Sequence, residues 1–199
     1  MTAIAALAQA LGVAWSSSVS LYATVAFTGI AGRLGWIALP APLHPLSSGW
    51  VIAVASALTA VEVAASLVPG VATAWEATHT AIRPIASAAL AVLVAWGGSP
   101  ALVALAGLLG GGLGLATHVT KLKLRAAIDA SPEPFSNAMA TGAELGAVAG
   151  ASWLVWHHPF VALGLSLAVL AGLFLLARAL WRAIRRAASW LSGSGLTSA

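Results

Sequence analysis

The sequence contains no cysteine and very little charge. Of its 199 residues only 7% are Asp, Glu, Lys or Arg, whereas 60% are hydrophobic. A soluble domain carries about 25% charged residues, so a water-exposed surface over the whole chain is excluded. The lack of cysteine excludes a disulfide framework and thiolate chemistry. Apolar runs of about 20 residues recur along the chain, which predicts an integral membrane protein with several helical spans.

Acidic residues are scarcer than basic ones. Five Asp and Glu stand against nine Lys and Arg, and the isoelectric point is about 10.8. The basic residues lie at the ends of apolar runs and form no continuous face with aromatic residues, so we predict no nucleic-acid partner. The expected partner is the lipid bilayer, with anionic headgroups near the basic C-terminal segment. No basic residue precedes the first apolar run, which is therefore a poor signal peptide.

The apolar runs predict an all-α, polytopic membrane bundle of about six spans. It forms a single domain over residues 1–191, followed by a flexible tail at 192–199. Turn signals separate the spans, and Ser48 is placed to cap the second one. The first two predicted spans cover about residues 3–30 and 48–68. The third is a short apolar segment, 84–96, that uses part of the amphipathic piece 75–83 to reach spanning length. The fourth starts at 101 and continues into a polar helix end at 129, the fifth ends near 156, and the sixth covers 160–176. Within the first span a polar stripe recurs at helical spacing, formed by Ser17, Ser20, Thr24 and Thr28.

The basic residues also predict an orientation. With six spans, Arg33 falls on one side and the other eight fall on the opposite side. Cytoplasmic loops carry the excess of Lys and Arg, so both termini are predicted to be cytoplasmic. The larger set comprises Arg83, Lys121, Lys123, Arg125, Arg178, Arg182, Arg185 and Arg186.

Two short segments repeat each other. Residues 59–62 read Thr-Ala-Val-Glu and residues 141–144 read Thr-Gly-Ala-Glu, each after a Pro-containing turn. Three spans per half would give residues 1–98 and 99–186 opposite orientations, as in transporters built from inverted repeats. Sequence rich in Ala, Gly and Leu also produces such similarities by chance.

Glu62 and Glu144 are the main candidates for function. A carboxylate inside a membrane span is expensive, so it predicts a proton-coupling or transport role by default. Thr59 and Thr141 stand three residues before them and are predicted to join that role. The alternative is structural, with each glutamate a protonated hydrogen-bond donor that ties helices together. No catalytic residue is predicted, because no nucleophile and base can be paired.

A polar stretch between the fourth and fifth spans predicts a substrate entrance. Its free helix N-terminus would face an anion. The alternative is an ordinary helix start with Ser131 as N-cap. A basic mouth on the fourth span would attract the same anion, although positive-inside charge also explains it. The predicted substrate-binding residues are Ser131, Glu133, Ser136, Asn137, His118, Lys121, Arg125, Tyr22, His79 and Arg83.

Glu76 and His79 have the Glu-x-x-His spacing of some metal sites. A single pair of this kind is weak, so we favour a surface amphipathic helix and predict neither a metal nor another cofactor. Two glycine stripes predict close helix contacts or a homo-oligomer. They are formed by Gly107, Gly110, Gly111 and Gly114, and by Gly142, Gly146 and Gly150.

The chain resembles an uncharacterised group of small bacterial inner-membrane proteins, the domain-of-unknown-function family 4126. The resemblance covers residues 17–186 and is most specific at Ser131-Pro-Glu-Pro-Phe-Ser-Asn137 with Glu144. It also rests on residues 20–25, on Glu62 with Pro69-Gly70-Val71 and Trp75, on His79-Thr80 with Arg83-Pro84, on His118, Lys121 and Arg125, and on the turn at His158-Pro159. It implies a bacterial inner-membrane location and no activity. The family's usual charged residues are absent here at Ser66-Leu67, Ala72 and Leu145.

These observations favour a small proton-coupled transporter or carrier of an anionic small molecule or lipid headgroup. The runner-up is a non-transporting membrane scaffold or assembly partner, whose glycine stripes would pack helices and whose glutamates would be structural. An intramembrane enzyme comes third.

Overall fold

A computed structural model describes residues 2–129 and 134–165, together with scattered positions between 167 and 185. All regular elements in this part of the chain are helices. They include α1 (Ala3–Val19), α2 (Leu21–Arg33), a 3₁₀ helix (Ala41–Ser47), α3 (Gly49–Ser66), α4 (Val71–Thr78), α5 (Ile82–Ala95), α6 (Pro100–Asp129) and α7 (Pro134–His157), and residues 159–165 are helical as well. The prediction of an all-α membrane protein is therefore confirmed, and Ser48 caps α3 by accepting from the backbone N of Val51.

Three helices, α3, α6 and α7, are long and apolar enough to cross a membrane. The pair α4 and α5 makes a fourth candidate span, bent by 52° at its break. Pro84 explains the bend, because it lacks the amide that would bond to the carbonyl of Thr80. The predicted sixth span lies largely outside the continuous part of the structure, so the number six stays a prediction.

The predicted first span, residues 3–30, is wrong as a single helix. Ser20 has an extended backbone, with φ −145° and ψ 108°, and separates α1 from α2. Val13 and Thr28 line the same pocket, whereas fifteen residues of continuous helix would hold them about 22 Å apart. The two helices therefore fold back on each other as a hairpin with its tip at Ser20.

Serine hydroxyls explain why the chain breaks there. Those of Ser16, Ser17 and Ser18 donate to the carbonyls of Gly12, Ala14 and Trp15 in α1. Such hydroxyls compete with helix continuation. Because of the break, the carbonyls of Ser18 and Val19 do not accept the helix hydrogen bond from the amide four residues later. They therefore need other donors.

An apolar core fills one end of the bundle, around the 3₁₀ helix. Leu43 from this helix is 1% exposed and packs with α1, the end of α5, the start of α6 and the end of α7. Arg83 lies near the opposite end of α5, about 18 Å along the helix axis from the last residue of that helix. The bundle therefore has an apolar end and a charged end.

The first glycine stripe makes the close helix contact that its spacing predicts, and the structure shows that the partner helix is α5. A Cβ on Gly114 would lie 2.6 Å from Ser87 Cβ, and one on Gly110 would lie 2.6 Å from Ala91 Cβ. The second stripe, predicted to pack as well, meets no described atom within 4 Å. A close contact between helices is therefore seen only for the first stripe in the described part of the chain.

We expect Gly114→Ala to destabilise the protein by about 1–3 kcal/mol, because the added methyl group overpacks the contact with Ser87. Gly112→Ala is a matched control on the same helix, since Gly112 has no neighbour within 4 Å. Thermal unfolding in detergent measures both variants. Equal melting temperatures would show that α5 and α6 are not packed as described.

Asp129, the last residue of α6, caps a helix far away in sequence. Its Oδ2 accepts from the backbone N of Gly70 and of Thr73, both at 3.0 Å, and from Thr73 Oγ1 at 2.6 Å. Gly70 adopts φ +80°, which favours glycine at this turn. The start of α4 is thus fixed to the end of α6.

Candidate functional site

Six charged side chains meet at the tip of the α1–α2 hairpin. We call them the charge cluster: Glu62 of α3, Glu76 of α4, Arg83 of α5, Lys121 and Arg125 of α6, and Glu144 of α7. Three carboxylates face three cations, so the cluster is neutral when all six are ionised. Because unpaired charge inside a membrane protein is costly, this balance is what makes the burial tolerable.

Arg83 fills the tip of the hairpin and is fully buried. Its Nη1 donates to the carbonyls of Val19 at 2.6 Å and Ser18 at 3.2 Å. Its Nη2 donates to Glu62 Oε1 at 2.5 Å, and Glu76 Oε2 lies 3.1 Å from Nη1. The guanidinium therefore satisfies the carbonyls that the helix break leaves free.

Lys121 lies at the centre of the charge cluster. Its Nζ is 2.7 Å from Glu76 Oε1, 3.0 Å from Glu144 Oε2 and 3.6 Å from Glu62 Oε1. It also donates to the carbonyl of Val19 at 2.5 Å. One ammonium group therefore links all three carboxylates, and it brings the two predicted glutamates, Glu62 and Glu144, into a common site.

Arg125 binds Glu144 through a bidentate contact. Its Nε donates to Glu144 Oε1 at 3.1 Å and its Nη2 donates to Glu144 Oε2 at 2.8 Å. Thr141 Oγ1 accepts from Nη2 at 3.1 Å and Asn137 Oδ1 accepts from Nη1 at 3.4 Å. The guanidinium is thus oriented by α7 as well as by the carboxylate.

The carboxylates differ in access. The side chain of Glu144 is 18% exposed, against 6% for Glu62 and 1% for Glu76. Ser20 Oγ also donates to Glu62 Oε2 at 2.7 Å. Glu62 and Glu76 are therefore enclosed by protein, and Glu144 is the carboxylate of the cluster that a solute or a proton can reach most directly.

A group of polar side chains lies next to the charge cluster. Tyr22 Oη is 3.0 Å from His79 Nε2, while His79 Nδ1 lies 2.7 Å from the carbonyl of Trp75. Since that carbonyl only accepts, Nδ1 carries the proton and Nε2 of a neutral ring accepts from Tyr22. His118 Nδ1 lies 3.7 Å from Glu76 Oε2. All three of the predicted residues Tyr22, His79 and His118 thus border the site.

Two other predicted site residues, Thr59 and Ser136, are not among the six residues of the charge cluster. Thr59 is not a partner of Glu62, since its hydroxyl donates to the carbonyl of Ala55 at 2.8 Å. Ser136 is half-buried in the first turn of α7. Ser131 and Glu133 lie outside the described residues.

The interpretation of Glu76 and His79 as a surface helix is wrong. They are 1% and 5% exposed, because the bend before Arg83 turns their helix into the protein. Glu76 is a site residue that sequence reasoning missed. The available signal was its spacing from Arg83 on one predicted helical face. Within the described ranges, no group of three or more His, Asp or Glu side chains is arranged to hold a metal.

One cleft in the described part of the protein lies away from the cluster. This cleft of about 420 Å³ is lined by Val92, Trp96, Gly98, Pro100, Val103, Ala104 and Gly107 at the apolar end of α5 and α6. Its lining is mostly apolar and contains no charged side chain.

Residues 7–181 match the family described as "Domain of unknown function (DUF4126)", and the chain belongs to that family. Comparison with curated proteins and with solved structures found no match. The resemblance expected from the sequence is therefore confirmed, and it assigns no activity.

Proposed function

We propose that this DUF4126 protein is a proton-coupled carrier of a small anion, and that the exchange takes place at Glu144, Lys121 and Arg125. The single observation behind the proposal is that the most accessible carboxylate of a neutral charge cluster is held by two buried cations. Glu144 and a bound anion would compete for those same cations.

Charge balance supplies the coupling. When Glu144 is ionised, three carboxylates match three cations, and an added anion would be in excess. When Glu144 takes up a proton, Lys121 and Arg125 retain one unmatched positive charge. At a separation of about 4 Å, unit charges interact by about 4 kcal/mol in a partly buried site, so an anion gains strongly from that mismatch. Proton and monovalent anion therefore bind together, and each raises the affinity for the other.

Glu62 and Glu76 act in this proposal as fixed counter-charges. They are enclosed, and Arg83 contacts both of them. Lys121 contacts Glu62, Glu76 and Glu144. It would therefore lose one of its counter-charges when Glu144 is protonated, while it stays bound to the enclosed Glu62 and Glu76. In this proposal the two glutamates predicted to couple protons have different roles. Glu144 takes up the proton, and Glu62 keeps its charge.

Transport is tested by flux into proteoliposomes across a panel of radiolabelled anions. We expect an inward proton gradient to raise uptake by about tenfold or more in the wild type, without net charge movement. Glu144→Gln should make uptake independent of the gradient. Lys123→Gln is the control, because Lys123 is an exposed basic residue of α6, the helix that carries Lys121 and Arg125, and lies outside the cluster. A separate arm follows movement of an anionic phospholipid across the bilayer. Wild-type flux no greater than that of protein-free vesicles in both arms would reject the proposal.

The scaffold alternative has its own supporting observation. Every carboxylate of the cluster is already paired with a cation, as a purely structural network would be. A scaffold predicts that Glu144→Gln changes stability and leaves no flux to change. The same flux assay therefore separates the two functions.

In the membrane, we propose that the α1–α2 hairpin enters from one side without crossing. The helices contain 17 and 13 residues, or about 25 Å and 20 Å, less than a hydrocarbon core of about 30 Å. Broken helices whose ends meet a buried site are typical of transporters. The inverted repeat over residues 1–98 and 99–186 and the bacterial inner-membrane location stay predictions.

A further inference from the structure

We propose that Arg125 and Lys121 form a binding site for a small monocarboxylate, which Glu144 fills as an internal ligand in this structure. The inference rests on the proposed exchange at Glu144 and adds the chemical class of the anion. It follows from the geometry of the three donors, from their anchoring, and from the charge that the vacated position requires.

The donors are arranged for a planar anion with two oxygens. Arg125 Nε and Nη2 each donate to a different oxygen of Glu144, at 3.1 Å and 2.8 Å. Lys121 Nζ approaches the second of these oxygens at 3.0 Å. A guanidinium fork matches a carboxylate in this way, with two parallel hydrogen bonds. One further donor on one oxygen completes a site for a carboxylate group.

The donors would keep their positions if Glu144 moved away. Asn137 accepts from Arg125 Nη1 and Thr141 accepts from Nη2, and Thr141, Asn137 and Arg125 are 6%, 0% and 1% exposed, in that order. Lys121 is held by the carbonyl of Val19 and by Glu76. Such anchoring is what a pre-organised binding site needs.

Charge and shape select against other anions. The position vacated by a protonated Glu144 lacks one negative charge, so a monoanion restores neutrality and a dianion exceeds it. Sulfate would also bring two further oxygens to a site whose three donors already serve two oxygens. Unsatisfied oxygens and excess charge are both costly in a buried site.

Truncation of the internal ligand tests the site directly. Glu144→Ala removes the atoms equivalent to acetate and leaves Arg125 and Lys121 without their partner. We expect the melting temperature of purified Glu144→Ala to rise saturably with sodium acetate, by about 3 °C or more, because a ligand that binds only the folded state stabilises it. Sodium chloride and sodium sulfate at equal ionic strength should give no comparable rise. The wild type, whose site is filled, should respond equally to all three salts.

A second variant makes the result specific. Glu144→Ala combined with Arg125→Gln lacks the fork and should lose the acetate response. If Glu144→Ala is too unstable to purify, expression and purification in acetate should recover folded protein that unfolds on dialysis into chloride. A response of the double variant, equal effects of acetate and chloride, or no recovery by acetate would each overturn the carboxylate site.

The outcomes are distinct from those of the flux assay. Acetate stabilisation without flux of any anion supports the site and rejects transport. Flux of another anion without acetate stabilisation supports transport and rejects the carboxylate as the ligand class.

Discussion

Arg83→Met is expected to destabilise the protein by about 3–5 kcal/mol, the effect of breaking a buried ion pair by removing one partner. The substitution leaves two enclosed carboxylates, Glu62 and Glu76, with Lys121 as their remaining cation. It also leaves the carbonyls of Ser18 and Val19 short of a donor at the hairpin tip. Unfolding in detergent with increasing denaturant measures the loss.

Two comparisons isolate the cause of that loss. Arg33→Met removes an exposed arginine from the end of α2 and should cost much less. Adding Glu76→Gln to Arg83→Met restores the charge balance and should recover a large part of the stability. If the double variant is less stable than Arg83→Met alone, pairing of charge does not hold the cluster together.

Cysteine variants at the N-terminus and in the loop after α2 are expected to label from the same side of the membrane. The hairpin fold brings Leu7 of α1 against the core around the 3₁₀ helix that follows α2. Ala3 and the exposed Leu34 should therefore share a side. The sequence-based prediction differs, since an unbroken first span would place them on opposite sides and both termini in the cytoplasm.

The chain is a convenient background for this test, because it has no cysteine of its own. Ala3→Cys, Leu34→Cys and Ser198→Cys are treated with a membrane-impermeant maleimide in intact cells or sealed vesicles. We expect the first two to react together and the third to react only when the opposite face is accessible. Joint labelling of positions 3 and 198, apart from 34, would establish a crossing first span.

Much of the fold could be predicted because local signals were strong. Prolines, glycines and Ser48 mark the ends of α3, α6 and α7 within a few residues of where they occur. Helical spacing also placed Lys121 and Arg125 on one face of α6, and both contribute to the cluster. These features depend on residues within one helix, so periodicity alone was sufficient.

The features that escaped prediction depend on distant partners. The break at Ser20 is stabilised by donors from Arg83 and Lys121, which lie more than sixty residues later. Glu76 was assigned to the surface because a charge on a short amphipathic helix usually faces water. Its burial requires Lys121 from another helix. Thr59 has the spacing for a contact with Glu62, but a threonine in a helix also donates to its own backbone.

The division of charge within the cluster predicts an order of events during synthesis. The segment up to α5 contributes two carboxylates and one guanidinium, Glu62, Glu76 and Arg83, a net charge of −1. The segment from α6 onward contributes Lys121, Arg125 and Glu144, a net charge of +1. Asp129, which caps α4, also emerges late. A nascent chain that ends after α5 would thus hold an unmatched negative charge and an uncapped α4, so we expect insertion of the first half to be completed only when α6 arrives.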